Sequence, residues 1–394
     1  MNLPKGFRYS GVAAGIKASG NKDVALIVSD DGATAAGVYT QNIVRASSID
    51  WNVAITPSDQ FRAVVVNSGN ANACTGDQGA RNNQQMATKV GAALGVPPEQ
   101  VAVLSTGVIG VQLPMEKIQK GIEDAAAALA DGEASFVSAS EAITTTDKSP
   151  KTTQATVTIG GQSVTVAAMA KGAGMIGPRM ATMLGVVMTD AKITAEIAQQ
   201  ILDTATAASF NRISVEGHMS TNDAVLLMAS GQSGASISTD ADVQQLSNAV
   251  TDACVELAKM IPADGEGATH LIQIDVQGTK TDDDADQIAR TVAASALVKT
   301  AATGNDPNWG RIVSAVGYAG VSLQANEINL KLNGFELFAA GQPVTFDAAE
   351  VSKSIGANFE MMIELSVGSG SGKARHWTSD LTVDYVRFNS EYTT

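Results

Sequence analysis

The sequence predicts a globular chain of mixed strands and helices, and three observations carry that reading. Of its 394 residues 44% are hydrophobic and 17% charged, which supplies a sizeable core and argues against wholesale disorder. Apolar runs of strand length recur, among them Val24-Ala-Leu-Ile-Val, Ala63-Val-Val-Val and Met183-Leu-Gly-Val-Val-Met188. They do not alternate, which suits strands buried on both faces. Between them lie segments whose apolar residues return every three or four positions, as in amphipathic helices. At this length one large or two ordinary domains are expected.

Taken in order, the first 110 residues read as short strands and turns. The run from Ala63 enters Asn67-Ser-Gly-Asn-Ala-Asn-Ala-Cys-Thr-Gly76, where Asn side chains can satisfy a tight loop's backbone. Val101-Ala-Val-Leu-Ser-Thr-Gly-Val-Ile-Gly110 is a strand followed by a turn at Thr106-Gly107. A glycine there lets backbone N–H groups come close to a ligand, where adjacent N–H groups can hold an oxyanion. Met115, Ile118, Ile122, Ala125, Ala126 and Leu129 then mark a helix, with Pro114 suited to its first turn. The polar turn Ala142–Lys151 precedes an alternating strand from Ala155.

The most informative stretch is Lys171-Gly-Ala-Gly-Met-Ile-Gly-Pro-Arg-Met-Ala-Thr-Met-Leu184. Three glycines and a proline bend the backbone, and the bend feeds the apolar strand at Ala181-Thr182. A strained turn that presses a hydroxyl onto its own preceding carbonyl can convert the peptide to an ester. Water would then open the ester and leave Thr182 as a new N-terminus. Its α-amine, with an ordinary pKa of about 7.7–8.0, could serve as base for its hydroxyl. By residue types alone a plain Gly-rich turn before a core strand fits as well.

Further on, Thr194 is placed to cap the helix that follows, and Val243–Met260 reads as another helix. It leads into Asp264-Gly-Glu-Gly267, where a carboxylate between two glycines could receive a substrate ammonium or simply be a solvated turn acid. The acid run Asp282–Asp286 would complement a helix N-terminus and opens a second lobe, with a helix expected over 287–302. Gly368-Ser-Gly-Ser-Gly-Lys373 fails the phosphate-loop spacing, because Val367 and Ala374 occupy the Gly and Ser/Thr places.

Composition narrows the function. A formal charge of −14 opposes binding to nucleic acid. Cys74 and Cys254 make neither a disulfide framework nor a zinc site, and no metal or other cofactor is expected. No signal-type or membrane-length apolar run is present, so a cytoplasmic protein without membrane partners is expected.

The Lys171–Leu184 segment resembles the self-cleavage segment of the ornithine acetyltransferases (glutamate N-acetyltransferases). Further blocks extend the resemblance over nearly the whole chain: Asn67–Gly76, Ser209–Gly231, Asp306-Pro-Asn-Trp-Gly-Arg311 and the C-terminal Asn389-Ser-Glu-Tyr-Thr-Thr394. The resemblance implies an α+β fold with two mixed β-sheets between helical layers (αββα, like the N-terminal-nucleophile aminopeptidases). Residues 1–280 would form the main domain, 281–365 a smaller lobe, and 366–394 a segment returning to the active site. It implies cleavage between Ala181 and Thr182, with Thr182 the nucleophile and Thr106 and Gly107 the oxyanion hole. Thr145 (or else Thr146), Lys171, Thr182, Glu266, Asn389 and Thr394 would bind substrate.

The implied reaction moves an acetyl group from N-acetylornithine to glutamate in arginine biosynthesis, through acetyl-Thr182. Some members also take acetyl-CoA as donor. Cleaved chains would associate as α2β2. The sequence departs from the family at Lys148, Glu216, His218, His270, Thr378 and Ser379, which bears on substrate preference. His218 is expected on the surface or behind the site rather than as a base, and Ser220–Asp223 as a structural turn. The Asp306–Arg311 block is expected to be a buried Trp turn held by Arg. An N-terminal-nucleophile aminopeptidase or amidohydrolase of the same fold is the alternative, and a non-enzymatic ligand-binding relative the third reading.

Overall fold

The computed structural model describes residues 1–177 and 183–391, and all structural statements below concern these. Its first half supplies β1 (Phe7–Val12), β2 (Val24–Tyr39), α1 (Ser47–Ile55), β3 (Ser58–Asn70) and α2 (Gly76–Leu94). There follow β4 (Val101–Val108), α3 (Met115–Ala127), α4 (Glu133–Ala142), β5 (Lys151–Ile159) and β6 (Gln162–Lys171). Next come β7 (Leu184–Thr189), α5 (Ala195–Ala208), β8 (Ile213–Ser214), β9 (Ala224–Ala229) and α6 (Asp240–Ala263). The remainder is β10 (Leu271–Thr279), α7 (Asp282–Ala294), α8 (Ala296–Thr303), α9 (Trp309–Gly317), β11 (Ile328–Leu332) and β12 (Phe335–Ala339). It closes with β13 (Gln342–Pro343), α10 (Ala348–Ala357), β14 (Glu360–Val367), β15 (Gly372–Ser379) and α11 (Val383–Glu391).

The strands form two mixed sheets flanked by helices, as expected. The first has the order β4-β3-β2-β9-β7-β6-β5, with β1 on β2; the second runs β13-β12-β11-β14-β10-β15-β8. β7 lies inside the first sheet, antiparallel to β6 and parallel to β9. All six of its residues are buried, which explains its unbroken apolar sequence. One face of this region, with Val187, Val225 and Leu227, packs on α5 and α6; the other, with Val186, Met188 and Leu226, shares a core with Tyr9 and Phe136. Leu271 and Trp377 of the second sheet join the α5–α6 core, so these helices bridge the two sheets.

Local chemistry sets the element ends. Thr194 accepts a hydrogen bond from Ile197 N–H and caps α5. Three aspartates occupy the first turn of α7, behind the cap Thr281. The single helix expected over 287–302 is two, because Ser295 leaves helical geometry and its side chain caps α8 by accepting from Val298 N–H. The expected buried Trp is half-buried: Trp309 stacks on Phe338 with ring centres 5.3 Å apart. Arg311 reaches Leu297 O at 2.9 Å.

Candidate active site

Strand register brings the site together. Lys171 on β6 pairs with Leu184 on β7, which pairs with Ala224 on β9, so three chain segments end at one sheet edge. Here Lys171 gives way to the glycine loop, Met183 enters β7 and Asp223 precedes β9. β4 delivers Thr106 and Gly107 alongside. Gly107 has φ 132°, and a Cβ there would lie 2.3 Å from the Gly69 carbonyl carbon, so only glycine lets β4 pass β3 this closely.

A cavity of about 260 Å³ opens at this edge. Thr106, Gly107, Thr145, Lys171, Glu266 and Asn389 all line it. The sequence-predicted residues within the described chain therefore share one wall system, although they span nearly 300 residues of sequence. Ala181, Thr182 and Thr394 lie outside the described residues. Met175, within the glycine loop and on the cavity wall, has φ 57°, a strained value for a side chain without a turn-forming group.

Glu266 is held from two sides. Thr146 Oγ1 donates to its Oε1 at 2.7 Å, and Asn389 Nδ2 to its Oε2 at 3.0 Å. Its backbone N–H reaches Ala173 O at 3.0 Å, and a Cβ at Gly174 would meet its carboxyl carbon at 2.5 Å. The glycine loop thus folds directly over this carboxylate. Thr145, the first choice for substrate contact, also lines the cavity, but its N–H is engaged with Asp147 Oδ2 at 3.0 Å; Thr146 is the partner of Glu266.

Lys171 is buried, and its Nζ lies 3.3 Å from Thr106 Oγ1. Burial draws its pKa below the ordinary lysine range, against the upward pull of Asp147. Asp147 accepts from Lys151 Nζ at 2.7 Å and Gly172 N–H at 2.7 Å. Burial alone would raise this carboxyl, but the two lysines and these hydrogen bonds outweigh it and hold it at about 2. Lys151 makes a second ion pair, 2.6 Å to Asp264. Asp147 and Lys151 were not singled out by sequence reading; a charge beside a strand looks solvated until the fold buries it.

The Ser220–Asp223 turn, expected to be structural, makes structural hydrogen bonds and also forms part of the cavity wall. Ser220, Thr221 and Asn222 line the cavity, and Asn222 Nδ2 donates to Ala71 O at 2.6 Å and Ser105 O at 2.8 Å. It ties the Asn-rich loop to β4. The loop begins only after Asn70, because Asn67–Asn70, expected in it, are the end of β3; there Asn67 Nδ2 bonds Asn70 O. Asp223 is fully buried and its Oδ1 accepts from Met183 N–H at 3.0 Å, the amide that follows Thr182. Burial pushes its pKa up to about 8 despite hydrogen bonds from Met183 and Ser220. Glu216, half-buried on the cavity wall, is pushed up to about 7, chiefly by burial and further by Glu266, against bonds from His218 and Ile176.

His218 is exposed at the cavity mouth, with its backbone N–H 3.3 Å from Glu216 Oε1. His270 is buried away from this cavity, 3.5 Å from Asp380; that hydrogen-bonding partner raises its pKa. Thr378 and Ser379 meet the buried Lys299, whose Nζ donates to Thr378 Oγ1 at 2.9 Å and to Val215 O at 2.6 Å. Burial lowers Lys299 to about 8. No group of three or more metal-ligating side chains is found among the described residues, and no helix there is long and apolar enough to cross a membrane.

Thr106 and Gly107, expected in a turn, are the paired end of β4, and a mixed two-sheet chain that gathers a glycine loop, this strand end and buried ionisable groups at one end of a sheet has the makings of a small-molecule enzyme. Comparison with known proteins identifies its kind. The model of the ArgJ family matches residues 8–394. The arginine biosynthesis bifunctional protein ArgJ of Rhodopirellula baltica is 51% identical, covering 100% of this chain and 96% of its own. That of Symbiobacterium thermophilum is 45% identical, covering 100% and 98%. A crystal structure of arginine biosynthesis bifunctional protein ArgJ from Bacillus halodurans is 37% identical with a TM-score of 0.50, covering 52% of this chain and 96% of the solved one. The chain belongs to the ArgJ family.

Proposed function

We propose that the chain transfers the acetyl group of N2-acetyl-L-ornithine to L-glutamate, giving L-ornithine and N-acetyl-L-glutamate in arginine biosynthesis. The observation that carries this is the convergence of Thr106, Gly107, Lys171, Glu266 and Asn389 on one cavity, under the loop that leads to Thr182. Membership of a family whose relatives are named for arginine biosynthesis supports it.

In this reading Thr182 first attacks the Ala181 carbonyl, and water releases residues 1–181 from 182–394. A match that takes 96% of a solved chain but 52% of this one is what a partner cut near its middle would give. The freed α-amine of Thr182 then takes the proton of its own hydroxyl, which attacks the acetyl carbonyl. N–H groups at Thr106 and Gly107 hold the oxyanion, and Lys171 binds a substrate carboxylate. Ornithine leaves as the free amine with the proton, acetyl-Thr182 remains, and the glutamate α-amine attacks it to regenerate the hydroxyl. Glu266 receives a substrate ammonium, with Asn389 and Thr394 closing the pocket. Acetyl-CoA could load the same hydroxyl. The cleaved pieces stay together and pair as α2β2 in the cytoplasm.

Intact-mass analysis under denaturing conditions tests this. The protein should separate into residues 1–181 and 182–394, and incubation with N-acetylornithine should acetylate only the second piece. Thr182→Ala should abolish both cleavage and the adduct. An active, uncut chain overturns the mechanism. Release of acetate without glutamate would instead mark the aminopeptidase-like hydrolase.

A further inference from the structure

The transferase reading poses an electrostatic problem. Ornithine and glutamate share an α-carboxylate and an α-nitrogen but end in opposite charges, an ammonium and a carboxylate. Both must use one cavity, and a wall of fixed charge would favour one and repel the other.

Glu216 stands where such a conflict can be resolved. It lines the cavity on the same wall as Glu266, so two carboxyls face one space. Backbone N–H groups of His218, on Oε1, and Ile176 act on the carboxyl, whereas its buried Oε2 has no hydrogen-bond partner among the described residues. Backbone bonds from Val215 and Gly217 to Ile176 O fix its loop against the glycine loop. The ionisable groups around it are Glu266, Lys171 on β6, His218 and Tyr385 on α11 in this cavity, and Lys299 on α8, Arg290 on α7 and His376 on β15 across a second cavity that Glu216 and Tyr385 also line. Lys299 donates to Val215 O, Thr378 and Ser379, and Arg290 gives Nη2 to Asp286 while its Nε has no partner among the described residues; neither hydrogen-bonds Glu216, and Lys299 acts on it through its charge alone.

We propose that Glu216 is a protonation-switched specificity residue: ionised, it accepts the side-chain ammonium of ornithine, and protonated, it donates to the side-chain carboxylate of glutamate. The proton is exchanged with bulk water as one amino acid replaces the other. Burial places the carboxyl near neutrality, where either form costs little. This rests on the transferase reading.

Calorimetric titration of the cleaved enzyme with L-ornithine and with L-glutamate, in buffers of different ionisation enthalpy, tests it. At pH 7 ornithine should release, and glutamate take up, about half a proton per site. Ornithine affinity should rise and glutamate affinity fall between pH 6 and 8. Glu216→Gln should abolish both exchanges, weaken ornithine about tenfold at pH 8 and leave glutamate within about twofold. His218→Gln should leave the exchanges in place. If both amino acids bind with proton exchange of the same sign or none, or if Glu216→Gln keeps the exchange, the switch is refuted and the transferase reading stands. If neither binds, both fall.

Discussion

Asp147 and Asp223 stand at the same end of the first sheet, each with its side chain fully buried, and they differ in charge state. Asp147 has the Lys151 ammonium and the N–H groups of Thr145 and Gly172 on it, with the charge of Lys171 beside them, and stays an anion. Asp223 has hydrogen bonds from Met183 and Ser220 and the charge of Lys171 nearby, but no lysine in contact, and its Oδ2 has no partner among the described residues; burial prevails and raises it to about 8. Depth alone therefore does not decide ionisation; a lysine in direct contact, as Lys151 is with Asp147, does. The first arrangement builds a rigid wall around Lys171, and the second keeps a proton next to the amide that follows Thr182.

The comparison can be broken most severely at Asp147. Asp147→Asn leaves Lys151 and Lys171 buried without their shared anion and should cost about 3–5 kcal/mol of stability, read by chemical denaturation. A loss below about 1 kcal/mol would show that the lysines find other partners. Next comes Glu266→Gln, which should leave cleavage intact but lower acetyl transfer roughly ten- to a hundredfold, for the loss of a charged hydrogen bond of about 1.5–3 kcal/mol.

Asp223→Asn should act on the pH profile more than on its peak. A carboxyl whose folded pKa lies above its unfolded value binds its proton more tightly when folded. Its contribution is complete below about pH 4 and fades as pH rises toward 8, so wild-type stability carries a falling component over that window. The variant should lack it, measured as melting temperature against pH. Asp147, held at about 2, has the opposite sign: its stabilisation is present above about pH 4 and lost as pH falls toward 2. The smallest effect belongs to an exposed pair. Arg375 bonds Asp275 with its guanidinium half exposed, and Arg375→Ala should cost about 0–1 kcal/mol.

These contrasts also show what a sequence can reveal. β7 was legible because burial on both faces leaves an unbroken apolar run, and Thr194 because a cap is a local bond. Thr106, Gly107, Lys171, Glu266 and Asn389 were legible through resemblance, not through any local pattern. Asp147, Lys151 and Asp223 were not, because each looks like surface charge until strand pairing carries it inside. Asp147 meets Lys171 only because β5 and β6 fold back in register, Lys151 opposite Ala170. The break at Ser295 was hidden because Ser inside a helix and Ser capping one read alike.

The pairing of β6 with β7 runs from Val166↔Thr189 to Lys171↔Leu184, and the proposed cut falls in the loop that joins them. Before cleavage both strands belong to one chain, and pairing them carries a modest entropic cost. Afterwards the same ladder joins two molecules, and forming it is a second-order event. The mature protein would then be easy to hold together and hard to reassemble. Its refolding yield should fall with dilution, whereas an uncut Thr182→Ala chain would refold at a rate independent of concentration. The cleavage that frees the α-amine would thus also turn a reversible fold into one maintained by its unfolding barrier.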